Sequence, residues 1–236
     1  MDLHFITFTI FLLQLIVNIN ARQFRVTDQV FFDIENEEKP LGRIVIGLFG
    51  DLAPKAVKNF KVLASKGING KSYKGTSFNR IIKRFMVQGG DVVSDNGSGS
   101  ISIYGEVFDD ENLDTQHSHA GFVSMANKGK NTNGCQFIIT TKGTPWLDGL
   151  HTVVGKVVEG QNVVHVIEHT PTDVDDRPTK RVFVADCGLL PTDPFYVSDN
   201  PYESSRRTSD HSVSAAPRHR SGDERESWPH YDDSLY

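Results

Sequence analysis

Short runs of hydrophobic residues alternate with polar, turn-forming segments along most of the chain. Two of these runs, 30–34 and 44–48, flank a polar stretch that contains Pro40 and Gly42, which predicts a β-hairpin. Further strand-like runs are 84–88, 121–125, 136–141, 152–158 and 181–185. Clusters of Gly, Asn and Asp separate them, as the chemistry of turns requires. The pattern therefore indicates a mainly β protein.

Two segments carry helical spacing instead. The first begins near Pro54, which suits the first turn of a helix, and Asp51 is its candidate N-cap. Its apolar stripe consists of Val57, Phe60 and Leu63. The second segment runs from about Gln161 to Glu168. Many short strands combined with two helices favour a closed antiparallel sheet.

The N-terminus differs from the rest, because Phe5 to Val17 is an almost unbroken apolar run. A run of about 13 residues fits the core of a signal peptide, which needs roughly 7–15, and is too short for a membrane-spanning helix. We therefore predict a signal peptide at residues 1–21, cleaved after Ala21. The first four residues lack Lys and Arg, so a buried first strand or helix, or an uncleaved anchor, is the alternative.

From Pro191 onward the composition shifts to Ser, Asp, Arg, His and Pro. Such a segment cannot bury enough apolar surface to offset its ordering entropy. We predict a disordered polar tail at 191–236, so that a single domain occupies residues 22–190. No membrane span is expected once the signal peptide is removed.

Charge and cysteine content narrow the class of protein. The net charge of −5 argues against a nucleic-acid-binding protein, which usually carries a strong basic excess. The two cysteines, Cys135 and Cys187, both lie in apolar runs, where a free thiol packs as a small hydrophobe. Two unpaired, buried thiols are therefore predicted, with a single disulfide as the alternative.

Two groups of histidines raise the question of a metal. The segment 165–169 matches the H-x-x-E-H pattern of zinc peptidases, with His165, Glu168 and His169 on one helix face. The helix is short and meets Pro171 almost at once, so we favour a solvated helix face over a zinc hydrolase. The other two histidines, at 117 and 119, lie in a polar loop and cannot close a zinc site alone. We assign no metal and no cofactor.

The chain also offers no activated nucleophile. It contains no serine on a nucleophile elbow, and neither cysteine stands in an electropositive setting. If the protein is an enzyme, its chemistry therefore needs no nucleophile.

Four segments together carry a family resemblance. The segment Phe78–Asp91 closely resembles the central motif of the cyclophilins, and the segments Ser124–Asn127, Asn131–Phe137 and Trp146–His151 resemble its other signatures in order and spacing. The likeness extends over about 30–190, the whole predicted domain. It implies a closed eight-stranded antiparallel β-barrel capped by two α-helices, and peptidyl-prolyl cis–trans isomerase activity.

The resemblance also implies a site, position by position. Arg80 matches the catalytic arginine of the family. The proline pocket is matched by Phe85, Met86 and Leu147. The rest of the groove is matched by Gln88, Gly97, Ala126, Asn127, Gln136, Trp146 and His151. Taken singly, the apolar members could be core residues, and Arg80 could be a surface ion-pair partner. Because all of them occur together in the order and spacing of the family motifs, a substrate-binding site is favoured.

The chemistry explains why an arginine suits this role. Rotation about an X–Pro bond breaks amide resonance, with a barrier of about 20 kcal/mol. As resonance is lost, the proline nitrogen becomes a hydrogen-bond acceptor. A guanidinium aimed at that nitrogen stabilises the twisted state more than either planar state.

Three positions depart from the family pattern. Ile138 stands where a second pocket phenylalanine is usual, Asn79 replaces a common histidine, and Lys128 replaces a small residue at the groove edge. These departures are expected to affect the turnover rate and the affinity for cyclosporin more than the fold. They leave open an alternative, a proline-peptide-binding escort chaperone with weak or no turnover.

The resemblance lies nearest to secretory-pathway cyclophilins, and Gly67–Tyr73 and Ser100–Phe108 also resemble the insect photoreceptor branch of the family. It implies a monomer in the lumen of the endoplasmic reticulum or outside the cell. The expected partners are proline-containing polypeptide clients and cyclosporin-type ligands, without nucleic acid.

Overall fold

The computed structural model describes residues 22–199. The predicted signal peptide, and the predicted tail from residue 200 onward, lie outside these residues. In chain order the elements are β1 (Gln23–Val26), β2 (Asp28–Asn36), β3 (Pro40–Leu48), α1 (Pro54–Leu63), β4 (Phe78–Ile82), β5 (Met86–Gly89), β6 (Phe122–Met125), β7 (Phe137–Thr140), a 3-10 turn (Pro145–Leu147), β8 (Val153–Glu159), α2 (Gln161–Glu168), β9 (Val182–Leu190) and β10 (Phe195–Ser198).

Eight of the strands form one antiparallel sheet in the order β4-β5-β7-β6-β8-β3-β2-β9. The predicted hairpin is confirmed as β2 and β3, in which Val30 lies opposite Ile46. Both of these side chains are fully buried, because alternate residues of each strand face the core. The predicted mainly β class with two helices is likewise confirmed.

The expectation of a closed barrel is wrong, because the sheet is an open half-barrel. Its edge strands, β4 and β9, are not paired with each other along their lengths. An isolated bridge joins Ser77, just before β4, to Phe183 in β9. Along β4 itself a loop takes the place of a partner strand, and the Ile81 N–H donates to the carbonyl of Asp176 (2.8 Å). A covered edge satisfies the backbone without closing the ladder.

Helix α1 packs its predicted stripe of Val57, Phe60 and Leu63 into the core. The predicted cap at Asp51 is wrong: Ala53 is the N-cap, and Asp51 pairs with Arg25 instead. The carboxylate of Glu111 accepts hydrogen bonds from the first free N–H groups, those of residues 55 and 56 (3.1 and 2.8 Å). A distant carboxylate thus caps this helix, where negative charge also favours the helix dipole.

A two-stranded sheet extends the domain past its predicted boundary at residue 190. Strand β10 pairs with β1, with Phe24 opposite Val197. The two strands cover a second apolar cluster, which consists of Phe24, Val26, Phe49, Phe122 and Val153. The segment just after residue 190 is therefore part of the folded domain, at least to Ser198.

Two further observations concern the cysteines and the character of the helices. Cys135 is buried and Cys187 half-buried, and both thiols are free, as predicted. Within residues 22–199, neither helix has the length and apolar character that a membrane crossing demands.

Candidate functional site

A small apolar cluster lies apart from the main core. Its buried members are Met86 from β5, Ile138 from β7 and Leu147 from the 3-10 turn. Ile82, Phe85 and Ala126 pack against them. Strand alternation explains the separation, because Val87 and Ile139 join the main core while their neighbours Met86 and Ile138 face the other side of the sheet. The sheet thus carries a second apolar surface, which forms the floor of a groove.

Aromatic rings border this floor. Phe85 is half-buried, and its ring centroid lies 5.4 Å from that of Trp146 at an interplanar angle of 51°. The indole is 51% exposed, and the Lys142 ammonium lies 5.1 Å from the ring centroid. A large exposed aromatic next to an apolar floor is typical of a binding surface.

The polar side of the groove is built from two glutamines. The Nε2 of Gln88 donates to the Oε1 of Gln136 (2.8 Å). Gln136 is buried, and its own Nε2 donates to the carbonyls of Gly97 (3.0 Å) and Gly99 (2.8 Å). Gln136 therefore fixes both the loop at 97–99 and the more exposed Gln88.

Asp91 organises the loop that forms the rim of the groove. Its carboxylate accepts backbone N–H groups from Val93, Ser94, Asn96, Gly97 and Gly99 at 2.8–3.2 Å. Burial raises the pKa of this carboxyl, but the backbone donors together outweigh burial and hold the pKa below its usual value. Gly97 adopts a positive φ of 88° close to the side chain of Asn79, where a Cβ would be strained.

Arg80 lies on the edge strand β4, directly opposite Gln88, which lies opposite Ile138 on β7. Directly opposed residues share a face of a sheet, so the guanidinium, the amide and the apolar floor lie side by side. The Nε and Nη2 of Arg80 both lie 3.4 Å from the Oδ2 of Asp176. The covering loop therefore supplies a carboxylate that holds the arginine at this edge of the groove.

The far end of the groove carries two further polar groups. Asn127 donates from Nδ2 to the carbonyl of Leu150 (2.8 Å). The Nδ1 of His151 lies 3.0 Å from the carbonyl of Met125. Because a carbonyl only accepts, this nitrogen carries the proton, and the Nε2 of His151 is left as an acceptor. Ala126 lies between these groups, and its N–H donates to the Gln136 carbonyl (3.0 Å).

His117 lies in a loop, as predicted, but its side chain is fully buried. Its Nδ1–H donates to the carboxylate of Asp148 (2.9 Å), and its Nε2 accepts from the hydroxyl of Ser124 (2.8 Å). Burial lowers the pKa of the imidazole, and the neighbouring Asp148 opposes this effect. The serine is itself fully buried, so this serine–histidine–aspartate chain is a structural tie between β6 and the residue after Leu147.

The structure brings the predicted site residues onto one face of the sheet and the loops beside it. Sequence reasoning missed three contributors: Asp176, Asp91 as the organiser of the rim, and Lys142 beside the indole. Asp91 ends the central motif and could have been found there, whereas Asp176 lies 96 residues from Arg80 and carries no local signal. Within the described residues, one group of three metal-ligand side chains occurs, at the C-terminal end of α2, and none of its members belongs to the groove.

Comparison with known proteins defines the class. The sequence model of the cyclophilin type peptidyl-prolyl cis-trans isomerase/CLD family matches residues 31–189, and the chain belongs to this family. It is a peptidyl-prolyl cis–trans isomerase of the cyclophilin type.

Three relatives place it more closely. The chain is 50% identical over 191 residues to the rhodopsin-specific isozyme of peptidyl-prolyl cis-trans isomerase from Calliphora vicina, covering 80% of this chain and 82% of that protein. It is 49% identical to peptidyl-prolyl cis-trans isomerase B of Saccharomyces cerevisiae (69% and 80% covered). It is 47% identical to peptidyl-prolyl cis-trans isomerase CYP21-1 of Arabidopsis thaliana (71% and 78% covered).

Proposed function

We propose that the groove binds the proline of a polypeptide chain on its apolar floor and that Arg80 catalyses rotation of the preceding peptide bond. The observation that carries this proposal is the position of the guanidinium, two strands away from Ile138 and on the same face as the floor. Met86, Leu147 and Phe85 provide apolar side chains against which a proline ring can pack. The floor holds the ring while the chain before it turns.

The proposed catalytic step needs no covalent intermediate. As the amide twists, the proline nitrogen gains a lone pair, and an N–H of Arg80 donates to it. The arginine stays charged at all relevant pH values and presents a fixed fork of donors. Asp176 restrains the side chain, so less entropy is lost when the guanidinium meets the twisted amide. Each tenfold increase in rate requires about 1.4 kcal/mol of stabilisation specific to the twisted state.

The polar groups of the groove are proposed to anchor the peptide backbone. Gln88 is held by Gln136 at one end of the groove, and Asn127 is held by the Leu150 carbonyl at the other. Trp146 and His151 border the floor between solvent and the apolar cluster. These groups thereby fix the peptide on one side of the X–Pro bond while the other side rotates. This lowers the entropic cost of reaching the twisted state.

We further propose that the clients are chains in the secretory pathway and that the enzyme works in the lumen of the endoplasmic reticulum or after secretion. The apolar run 5–17 has the length of a signal-peptide core. The similarity to an isozyme named for rhodopsin, a membrane protein made in this pathway, is in keeping with it.

Expression of the full chain in eukaryotic cells tests this location. Sequencing of the N-terminus should find Arg22 as the first residue of protein recovered from the lumen or the medium. Protein that keeps Met1 or Asp2 and stays in the cytosol would contradict the proposal.

Cyclosporin-type ligands, which are largely apolar peptides, are proposed to bind the same floor. The exposed indole and the half-buried Phe85 offer apolar area beyond what one proline ring covers. Competition between such a ligand and a proline peptide would support a shared site. Simultaneous binding of both would contradict it.

A second candidate function is that of an escort chaperone that binds proline segments without turning them over. Two observations favour it: Ile138 replaces an aromatic wall of the floor, and the Lys128 ammonium lies 3.5 Å from the Ser98 carbonyl across the edge of the groove. NMR exchange spectroscopy on a proline peptide separates the two functions. Catalysis predicts cis–trans exchange cross-peaks at substoichiometric enzyme, whereas shifted peaks without exchange would support the escort.

A further inference from the structure

Three side chains with metal-ligating atoms form a cluster at the end of α2, outside the groove. Their ligand atoms, one each from His165, Glu168 and His169, all lie within 4.8 Å of one another. The Oε2 of Glu168 is 3.7 Å from the Nδ1 of His165 and 3.9 Å from the Nδ1 of His169. The sequence alone favoured a solvated helix face. The contacts of the carboxylate change that interpretation.

Glu168 is buried, with 7% of its surface exposed, although its neighbours on the helix face are open to solvent. One carboxylate oxygen, Oε1, accepts the backbone N–H of Arg84 (2.7 Å). The other oxygen, Oε2, faces the rings of the two histidines. A divalent ion bound between this oxygen and the imidazole nitrogens would compensate the charge of the buried carboxylate. This second oxygen is therefore placed to receive a cation.

The chemistry of His169 fits the same role. Its Nδ1 lies 2.8 Å from the carbonyl oxygen of His165. Because that oxygen only accepts, the Nδ1 carries the proton, and the Nε2 keeps the lone pair that a metal needs. Metal-binding histidines commonly have one ring nitrogen held by a carbonyl in this way. His165 is 69% exposed, so its ring can turn towards an ion without disturbing the core.

The spacing of the cluster agrees with that of a small divalent ion. A tetrahedral zinc ion bound at about 2.0–2.1 Å holds its ligand atoms about 3.4 Å apart. The Oε2 of Glu168 and the Nδ1 of His165 are 3.7 Å apart, which exceeds this by about 0.3 Å, and one ligand atom from each of the three residues lies within 4.8 Å of the others. The exposed ring of His165 can make up that difference by a small side-chain rotation, and the open side leaves a fourth position for water.

We propose that His165, Glu168 and His169 form a binding site for a divalent transition metal of the zinc class. Two imidazoles and one carboxylate suit Zn²⁺, Ni²⁺ and Cu²⁺, whereas Ca²⁺ and Mg²⁺ prefer oxygen ligands throughout. The site is separate from the groove. It is joined to the groove through Glu168, which also holds the turn at Arg84 just before Phe85.

Isothermal titration of the full chain with Zn²⁺ alone, at a pH above 7 where imidazole is neutral, tests the proposal. The variants are H165Q, H169Q and E168Q; the last keeps an oxygen that can accept the Arg84 N–H. H119Q removes another histidine, which lies outside the cluster, and is the matched control. Wild type and H119Q should each bind one equivalent with the same affinity. Each of the three cluster variants should bind that equivalent at least tenfold more weakly.

A thermal shift supplies a second readout, because an ion that binds the folded state raises the melting temperature. Zn²⁺ should raise the melting temperature of wild type and of H119Q. It should raise the melting temperatures of the three cluster variants much less. Circular dichroism without metal checks that each variant is folded. Wild-type affinity in any one of the three cluster variants would overturn the proposed ligand set. Zinc bound equally well by all variants would place the metal on other histidines and overturn the site altogether.

Discussion

Ile138 forms part of the groove floor, at a position where the family pattern leads us to expect a phenylalanine. It is buried with Met86 and Leu147, and it lies on the same sheet face as Arg80. An isoleucine keeps the floor apolar but offers less flat area than a phenylalanine. Since aromatic pairs add about 0.5–1.5 kcal/mol beyond simple area burial, this position should set ligand affinity more than catalysis.

The substitution I138F should therefore raise affinity for a cyclosporin-type ligand by about fivefold, because about 1 kcal/mol corresponds to that factor. The change can be measured by titration of the ligand against tryptophan fluorescence. I138L, which conserves volume, is the matched control and should leave affinity within about twofold. If I138F bound more weakly than wild type while melting at the same temperature, the position would not be a wall of the ligand pocket.

At the scale of elements, the groove depends on a buried tie between β6 and the 3-10 turn. His117 links Ser124 to Asp148, the residue that follows Leu147. Burial lowers the pKa of His117 in the folded state, although Asp148 opposes it. In the unfolded chain a histidine titrates near about 6.5. Between these two pKa values the unfolded chain binds more protons than the folded protein.

Stability should therefore fall as pH drops below about 6.5 and level off below the lowered pKa of the folded state. The slope from this one group cannot exceed about 1.4 kcal/mol per pH unit. Urea unfolding at pH 7.5, 6.0 and 5.0 measures it, and H117N should show a smaller loss over the same range. An equal pH dependence in wild type and H117N would contradict this assignment.

The elements that the sequence predicted are those whose pattern is local. The hairpin of β2 and β3, and helix α2, follow from spacing within a few residues. Strand β4 was missed because it is short and carries two polar residues in succession, the half-buried Asn79 and the exposed Arg80. The burial of His117 was missed because it depends on Asp148, which lies 31 residues away and gives no local signal.

The site shows the same division between local and distant information. Motifs in register predicted Arg80 and the floor as site residues, since they lie in contiguous segments. The carboxylate partner of Arg80 was not predicted, because Asp176 reaches it from a loop that also replaces the missing strand pairing along β4. The expectation of a closed barrel was wrong for a related reason. The number of strands does not show that a loop, and not a strand, covers the edge of the sheet at β4.

At the scale of the whole molecule, the groove and the terminal strands β1 and β10 pack against different apolar clusters. Strands β1 and β10 cover the cluster around Phe24 and Phe49, whose rings stack with centroids 4.9 Å apart. Phe195 and Val197 of β10 pack onto it from outside. The partner strands are more than 160 residues apart in sequence, which is why composition alone assigned β10 to a tail.

The substitution F195A should therefore lower the free energy of unfolding by about 1–2 kcal/mol, less than the roughly 3–5 kcal/mol for a fully buried phenylalanine. Isomerase activity at 25 °C should stay at the wild-type level, since the groove rests on another cluster. Y196A, at an exposed position on the same strand, is the comparison and should cost less. An unfolding free energy unchanged by F195A would show that β10 does not stabilise the domain.

The central claim is that the guanidinium of Arg80 stabilises the twisted X–Pro bond. The direct measurement is the kcat/KM of isomerisation of one proline peptide by wild type, R80A, R80K and K83A, with the peptide dissociation constant measured alongside. R80A should lose at least about 100-fold in kcat, a typical effect of removing a donor to the transition state, with peptide affinity nearly unchanged.

R80K should recover little of the loss, because an ammonium lacks the planar fork, and K83A should retain full activity as a nearby exposed cation outside the groove. A wild-type kcat in R80A, or a loss in R80A that lies wholly in peptide binding, would show that Arg80 does not stabilise the twisted bond.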